Sequence, residues 1–137
     1  MIRELWINLP VKDVVKSREF FTRIGFTLNT HYGNSETAAS FLVGQKNIVL
    51  MLFTEAAFKG FSQNEITNAK LSSEVMLSFD AESKEEVDEI ARKAAEAGAD
   101  VFGKPTESMG WLYGCGFADP DGHRWNALYM DMSKMPK

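Results

Sequence analysis

A chain of 137 residues with 45% hydrophobic side chains is long enough for one ordinary domain with a real core. Its net charge of −4 comes from 15 basic residues scattered among 19 acidic ones, which gives nucleic-acid binding little electrostatic support. No apolar run approaches the roughly 20 residues of a membrane span, and the single cysteine, Cys115, excludes an internal disulfide framework.

The opening Met1-Ile2-Arg3-Glu4-Leu5 lacks the basic and apolar regions of a signal peptide, so the cytoplasm is the expected compartment. Residues 5–11 form the first strand candidate. Leu5, Ile7, Leu9 and Val11 alternate with Trp6, Asn8 and Pro10, so the first set faces a helix-covered core and the second the opposite face. Asp13 is a helix N-cap, and Val14, Ser17, Phe20, Phe21 and Ile24 give the stripe of a helix that Gly25 ends. Phe26 and Leu28 begin a second strand. Residues 37–43 and 48–53 are strands joined by a turn at residues 44–47, the latter so apolar that both of its faces can be covered.

Residues 54–70 read as a linker with a short helix near residues 55–59 and the Gly, Ser, Asn and Thr chemistry of a loop bordering a pocket. Residues 74–80 form a strand with Val75, Leu77 and Phe79 on one side. Ser83 with Glu86 has capping-box spacing, and the helix that follows places Val87, Ile90, Ala91, Ala94 and Ala95 on one stripe before Gly98. A short strand at residues 99–102, a loop at residues 103–110 and a strand at residues 111–117 come next. Asp119-Pro120-Asp121-Gly122 is a turn that returns the chain as a last strand over residues 124–130.

The order β-α-β-β-β therefore occurs twice. Leu9 matches Leu77 at an offset of 68, Gly25 matches Gly98 at 73, and Met51 matches Asn126 at 75. The expected fold is α+β: two tandem βαβββ modules, at about residues 3–53 and 73–131 with a linker over about 54–72. They form one curled mixed sheet around a cavity with the helices outside.

Two stretches carry a resemblance. Leu9-x-Val11-x-Asp13-x-x-x-Ser17-x-x-Phe20-Phe21-x-x-x-Gly25-Phe26 and Phe117-x-Asp119-Pro120-Asp121-Gly122-His123-x-Trp125 resemble the vicinal oxygen chelate superfamily of glyoxalase, bleomycin-resistance and ring-cleaving dioxygenase proteins. In its metal-dependent members four inward His, Glu or Gln side chains hold a divalent ion. The resemblance places those positions at Trp6, Met51, Glu74 and Asn126. Only Glu74 is a strong hard-metal ligand, so no metal or other cofactor is expected. Glu4, on the Trp6 face, could join Glu74 if a metal were bound. A divalent metal serving a lyase, isomerase or dioxygenase is the alternative, and a structural or protein-interaction role the second alternative.

The expected function is metal-free binding of a small, partly aromatic organic molecule, through Trp6, Asn8, Met51, Glu74, Trp111, Tyr113 and Asn126. Glu74 is the one candidate for catalysis, as a base. A homodimer is implied by the resemblance alone, and neither nucleic acid nor membrane is an expected partner. Asp119, Asp121 and Gly122 read as turn formers, Trp125 as helix-side packing and Cys115 as a small packing residue.

Overall fold

A computed structural model describes residues 1–136 of the chain. It divides into two compact units, Met1–Thr67 and the residues from Asn68 onward. Unit 1 contains β1 (Trp6–Val11), α1 (Val14–Arg23), β2 (Thr27–Leu28), β3 (Ala38–Val43), β4 (Ile48–Thr54) and α2 (Glu55–Ser62). Its sheet runs β1-β4-β3-β2, with β1 parallel to β4 and the other pairs antiparallel. The alternation in β1 explains one layer. Ile7 and Leu9 stand level with Leu50 and Leu52 of β4, and Leu50 with Phe41 of β3. That face meets α1, where Phe21 lies 5.9 Å from the Phe41 ring and Val14, Ser17, Phe20 and Phe21 are buried. The Asp13 carboxylate caps the helix by accepting from the Lys16 N–H at 3.1 Å.

Unit 2 contains β5 (Met76–Asp80), α3 (Lys84–Glu96), β6 (Asp100–Ser108), β7 (Leu112–Ala118) and β8 (Arg124–Met130). Its sheet runs β5-β8-β7-β6, with β5 parallel to β8. The strand order repeats that of unit 1, element for element. Helix α3 packs on β6, β7 and β8 and buries Val87, Ile90, Ala91 and Ala94. Below it lie Phe79, Phe117 and Trp125, with ring centroids 6.3 Å apart from Phe79 to each of the other two.

One expectation is overturned. The strands do not join into a single curled sheet around a cavity; they form two separate four-stranded sheets, neither curled nor closed. Each keeps two edge strands, β1 and β2 in one and β5 and β6 in the other, that hydrogen-bond to one neighbour only. Closure needs an edge to find a partner edge, and four strands are too few to close on themselves.

The repeat is real, but its register differs from the sequence matching. Asn8 stands level with Met51, and Ser78 with Asn126. The helix N-caps are Asp13 and Ser83. Both relations put the first strand and the helix start at an offset of 70, not 68, so Leu9 corresponds to Phe79. The longer α3 then accounts for the offset of 73 at Gly98.

Strand β6 is also longer than expected. Gly103 and Pro105 read as loop formers, yet both lie inside a nine-residue strand. It is an edge strand with register shifts either side of Gly103, and an edge tolerates proline and irregular pairing.

Candidate ligand groove

In unit 1 the β3–β4 part of the sheet face away from α1 is covered by the chain itself, while Trp6 and Asn8 of β1 stay exposed. Trp6, Asn8 and Met51 share this face, and residues 29–37 fold across it. Asn29, 1% exposed, donates to the Ser40 hydroxyl at 3.1 Å, and the Ser40 N–H donates to Asn34 Oδ1 at 3.0 Å. Gly33, at φ +88°, sits so close that an added Cβ would stand 2.8 Å from Ser40 Cβ and 3.1 Å from Met51 Cε. Tyr32 stacks on Trp6 with ring centroids 5.7 Å apart, and the Trp6 indole N–H donates to Glu4 at 3.3 Å. Met51 is buried with Ala38 and Val49 in an apolar cluster. This segment also explains why β2 is only two residues long: the chain leaves the sheet edge to cover part of the face.

Unit 2 has no such cover over the corresponding face, and a groove of about 270 Å³ lies there. Its floor is apolar: Met76 of β5, Phe102 of β6, Leu112 of β7 and Leu128 of β8. The glycines of β7 shape it. A Cβ on Gly116 would meet the Phe102 ring at 2.7 Å, and one on Gly114 would meet the Leu128 side chain at 2.6 Å. Bare backbone therefore lets these two side chains lie flat over β7. The polar lining is Lys104, Thr106, Ser108 and Asn126. The Ser78 hydroxyl donates to Asn126 Oδ1, which leaves the amide nitrogen without a protein partner among the described residues. Arg124 lies over the Phe102 ring at 4.4 Å from its centroid.

The expected site residues therefore fall in both units. Asn8 and Met51 are cross-strand neighbours in unit 1, with Trp6 one strand position pair away beside Val49. Asn126 is in the unit 2 groove. Glu74 precedes β5, is exposed and does not line the groove. Tyr113 lies on the α3 side of β7, where its hydroxyl donates to Asp88 at 2.6 Å. That bond, reinforced by burial and by the Asp88 charge, holds its pKa above the usual tyrosine value. Trp111 precedes β7 and borders a small hollow with Tyr113 and Tyr129. Cys115 is buried, its thiol directed at the Val87 carbonyl at 3.9 Å and its pKa raised by burial, which suits packing rather than nucleophilic chemistry. Among the described residues no group of three or more His, Cys, Asp or Glu could hold a metal ion.

Sequence reasoning missed Phe102, Lys104 and Thr106, and placed Ser108 in a loop before Trp111 that could touch a ligand. Their alternation at period two was legible, but Gly103 and Pro105 between them read as breakers.

A family profile described as the Glyoxalase/Bleomycin resistance protein/Dioxygenase superfamily matches residues 5–127. Among solved structures, a hypothetical protein from S. aureus is 36% identical, with 94% of each chain covered and a TM-score of 0.81. A glyoxalase/bleomycin resistance protein/dioxygenase family enzyme from Burkholderia phytofirmans is 19% identical over 91% of this chain and 96% of that one, at a TM-score of 0.76. A fosfomycin resistance protein from Listeria monocytogenes is 21% identical over 98% of each chain, at a TM-score of 0.68; these last two likenesses are of fold alone. No curated protein matches the chain. Among the described residues no helix is long and apolar enough to cross a membrane.

Proposed function

The chain belongs to the glyoxalase/bleomycin resistance protein/dioxygenase superfamily, and from that premise we propose that it binds a small organic molecule in the unit 2 groove without a metal ion. One observation carries this reading: an uncovered apolar floor bordered by a few polar side chains, of a volume that suits a small ligand. Burying an apolar body against Met76, Phe102, Leu112 and Leu128 supplies affinity at roughly 25 cal/mol per Å² of surface removed from water, before the costs of association. The Phe102 ring favours a flat or aromatic body, and the Asn126 amide supplies direction.

The donor set at the family's metal positions does not suit a divalent ion. Trp6 offers no ligand atom, and Met51 offers a soft thioether that is buried among Ala38 and Val49. The Asn126 oxygen is taken by Ser78. The observed register puts Met76, not Glu74, opposite Trp6 in the repeat, so the one carboxylate assigned to these positions falls outside them, and a hard cation needs several oxygen or nitrogen donors. No catalytic step is derived through a metal, and the base role expected of Glu74 finds no support in its exposed position before β5.

Two measurements test the proposal. Calorimetric titration of Mn, Fe, Ni and Zn into wild type and Glu74→Gln is expected to give no stoichiometric binding. Tight binding weakened by the substitution would overturn the metal-free reading and direct work to lyase and dioxygenase assays. A fragment screen followed by amide NMR is expected to move the Gly114, Gly116 and Asn126 signals. Hits that leave these three unmoved would place binding elsewhere.

A further inference from the structure

We infer that the groove selects organic anions: a flat apolar body on the Phe102 and Leu128 floor, with its acidic group set between Lys104 and the Asn126 amide. The inference rests on the proposed groove and adds the charge of its ligand.

The first observation is the sign of the lining. The chain has four more acidic than basic residues, yet among the described residues no carboxylate lines the groove, whereas Lys104 does. Asp80, level with Leu128 on the edge strand β5, and Glu107, between Thr106 and Ser108 but paired with Lys84, are both outside the lining. A second cation, Arg124, stands over Phe102 on the same face. Among the described residues neither Lys104 nor Arg124 has an ion-pair partner. Other lysines do find acids: Lys84 pairs with Glu107, Lys59 with Glu65 and Lys93 with Glu89. Two unpaired cations over an apolar floor give a positive field where a ligand's own charge is partly shielded from water.

The second observation is the donor inventory. Gly103, Gly116 and Asn126 stand level across β6, β7 and β8. Lys104 and Asn126 therefore flank β7, about 10 Å apart by strand spacing, and a lysine side chain can shorten that gap by reaching inward. The Lys104 ammonium can only donate, and the Asn126 amide nitrogen donates as well. Ser108 adds a hydroxyl from the same strand as Lys104, while the Thr106 O–H is already donated to the Lys104 carbonyl at 2.9 Å. A site rich in donors, with its amide oxygen already satisfied, matches a ligand group that only accepts, such as a carboxylate.

The test uses the full chain and a matched pair of probes, 2-naphthoate and its neutral carboxamide, titrated calorimetrically and by amide NMR. Wild type is expected to bind the carboxylate about fivefold more tightly than the amide, the size of a partly exposed charge pair, with the preference shrinking as salt is added. Lys104→Met is expected to remove most of the preference, chiefly by weakening carboxylate binding, while Lys104→Arg retains it. Lys104 is an exposed side chain, so these variants should fold as wild type. Equal binding of both probes in the groove would overturn the anion inference and leave the small-molecule reading standing. Binding of neither probe would overturn both.

Discussion

Asp119 opens the turn into the last strand, and its role goes beyond that of a turn former. The side chain is 4% exposed. Its Oδ1 accepts the N–H groups of Asp121 and His123, each at 3.0 Å, and its Oδ2 accepts the Trp125 indole N–H at 3.1 Å. One carboxylate thus closes the turn and fixes the ring that packs against Phe79. Asp119→Ala should cost about 2–4 kcal/mol in denaturant unfolding, since the buried Trp125 indole N–H and two part-buried backbone N–H groups lose their partner. Burial raises the pKa of this carboxylate, opposed in part by the His123 charge and the Trp125 bond. The folded chain therefore holds the proton more tightly than the unfolded one. The contribution of Asp119 is greatest below its unfolded pKa and is lost as pH rises through the higher folded value. The stability difference between wild type and Asp119→Asn, followed against pH, should decline in that window; a rise would contradict the assignment. Gly122 in the same turn has φ +92°, and an added Cβ would stand 2.8 Å from the Lys70 backbone nitrogen. Gly122→Ala should cost about 2 kcal/mol or more, because neither the left-handed backbone nor the neighbouring main chain can yield cheaply.

Helices were legible as elements because their caps and stripes are local. Ser83 accepts from the Glu86 N–H at 3.1 Å, as the capping-box spacing requires. Glu86 reaches back to the Glu82 N–H at 3.2 Å, one residue beyond the usual N-cap partner. Ser83→Ala is expected to lower stability by about 1 kcal/mol, measured as a shift in denaturant midpoint with an unchanged slope. Strands were legible where alternation ran unbroken, as in β1 and β8. Strand β6 was legible only as far as residue 102, because the proline and glycine signals beyond it outweigh alternation in a local reading and only its place at the sheet edge makes them tolerable. The cost fell on the site, since Phe102 and Lys104 come from that strand.

Across the whole molecule, a duplicated βαβββ order produces two sheets of identical strand order, yet the two faces away from α1 and α3 have diverged. Residues 29–37 cover part of one, and the other is left as a groove. Divergence after duplication explains why matching the two halves by sequence found the repeat and still misplaced it by two residues at the first strand. The segment between the units, residues 63–75, lacks helix and strand and is mostly exposed. Brief treatment with a non-specific protease should cut there before cutting either sheet, giving two fragments by intact mass. First cleavage inside β6 to β8 would contradict the division into units.

By itself the sequence determined the element order, the internal repeat, the family and the poverty of metal-ligating side chains at the family's positions. Each of these is carried by residue type at short spacing: caps, stripes, alternation and the Asp-Pro-Asp-Gly turn. Tertiary structure alone decided which strands pair, that the sheets stay separate and open, and which face is partly covered by its own loop. It also decided that Glu74 lies outside the groove while Lys104 lines it. Those outcomes depend on hydrogen-bond partners and packing between residues distant in the chain, such as Ser78 with Asn126 or Gly116 with Phe102. No local spacing encodes such pairings, because a shift of one residue along a strand leaves its composition unchanged and turns every side chain to the other face.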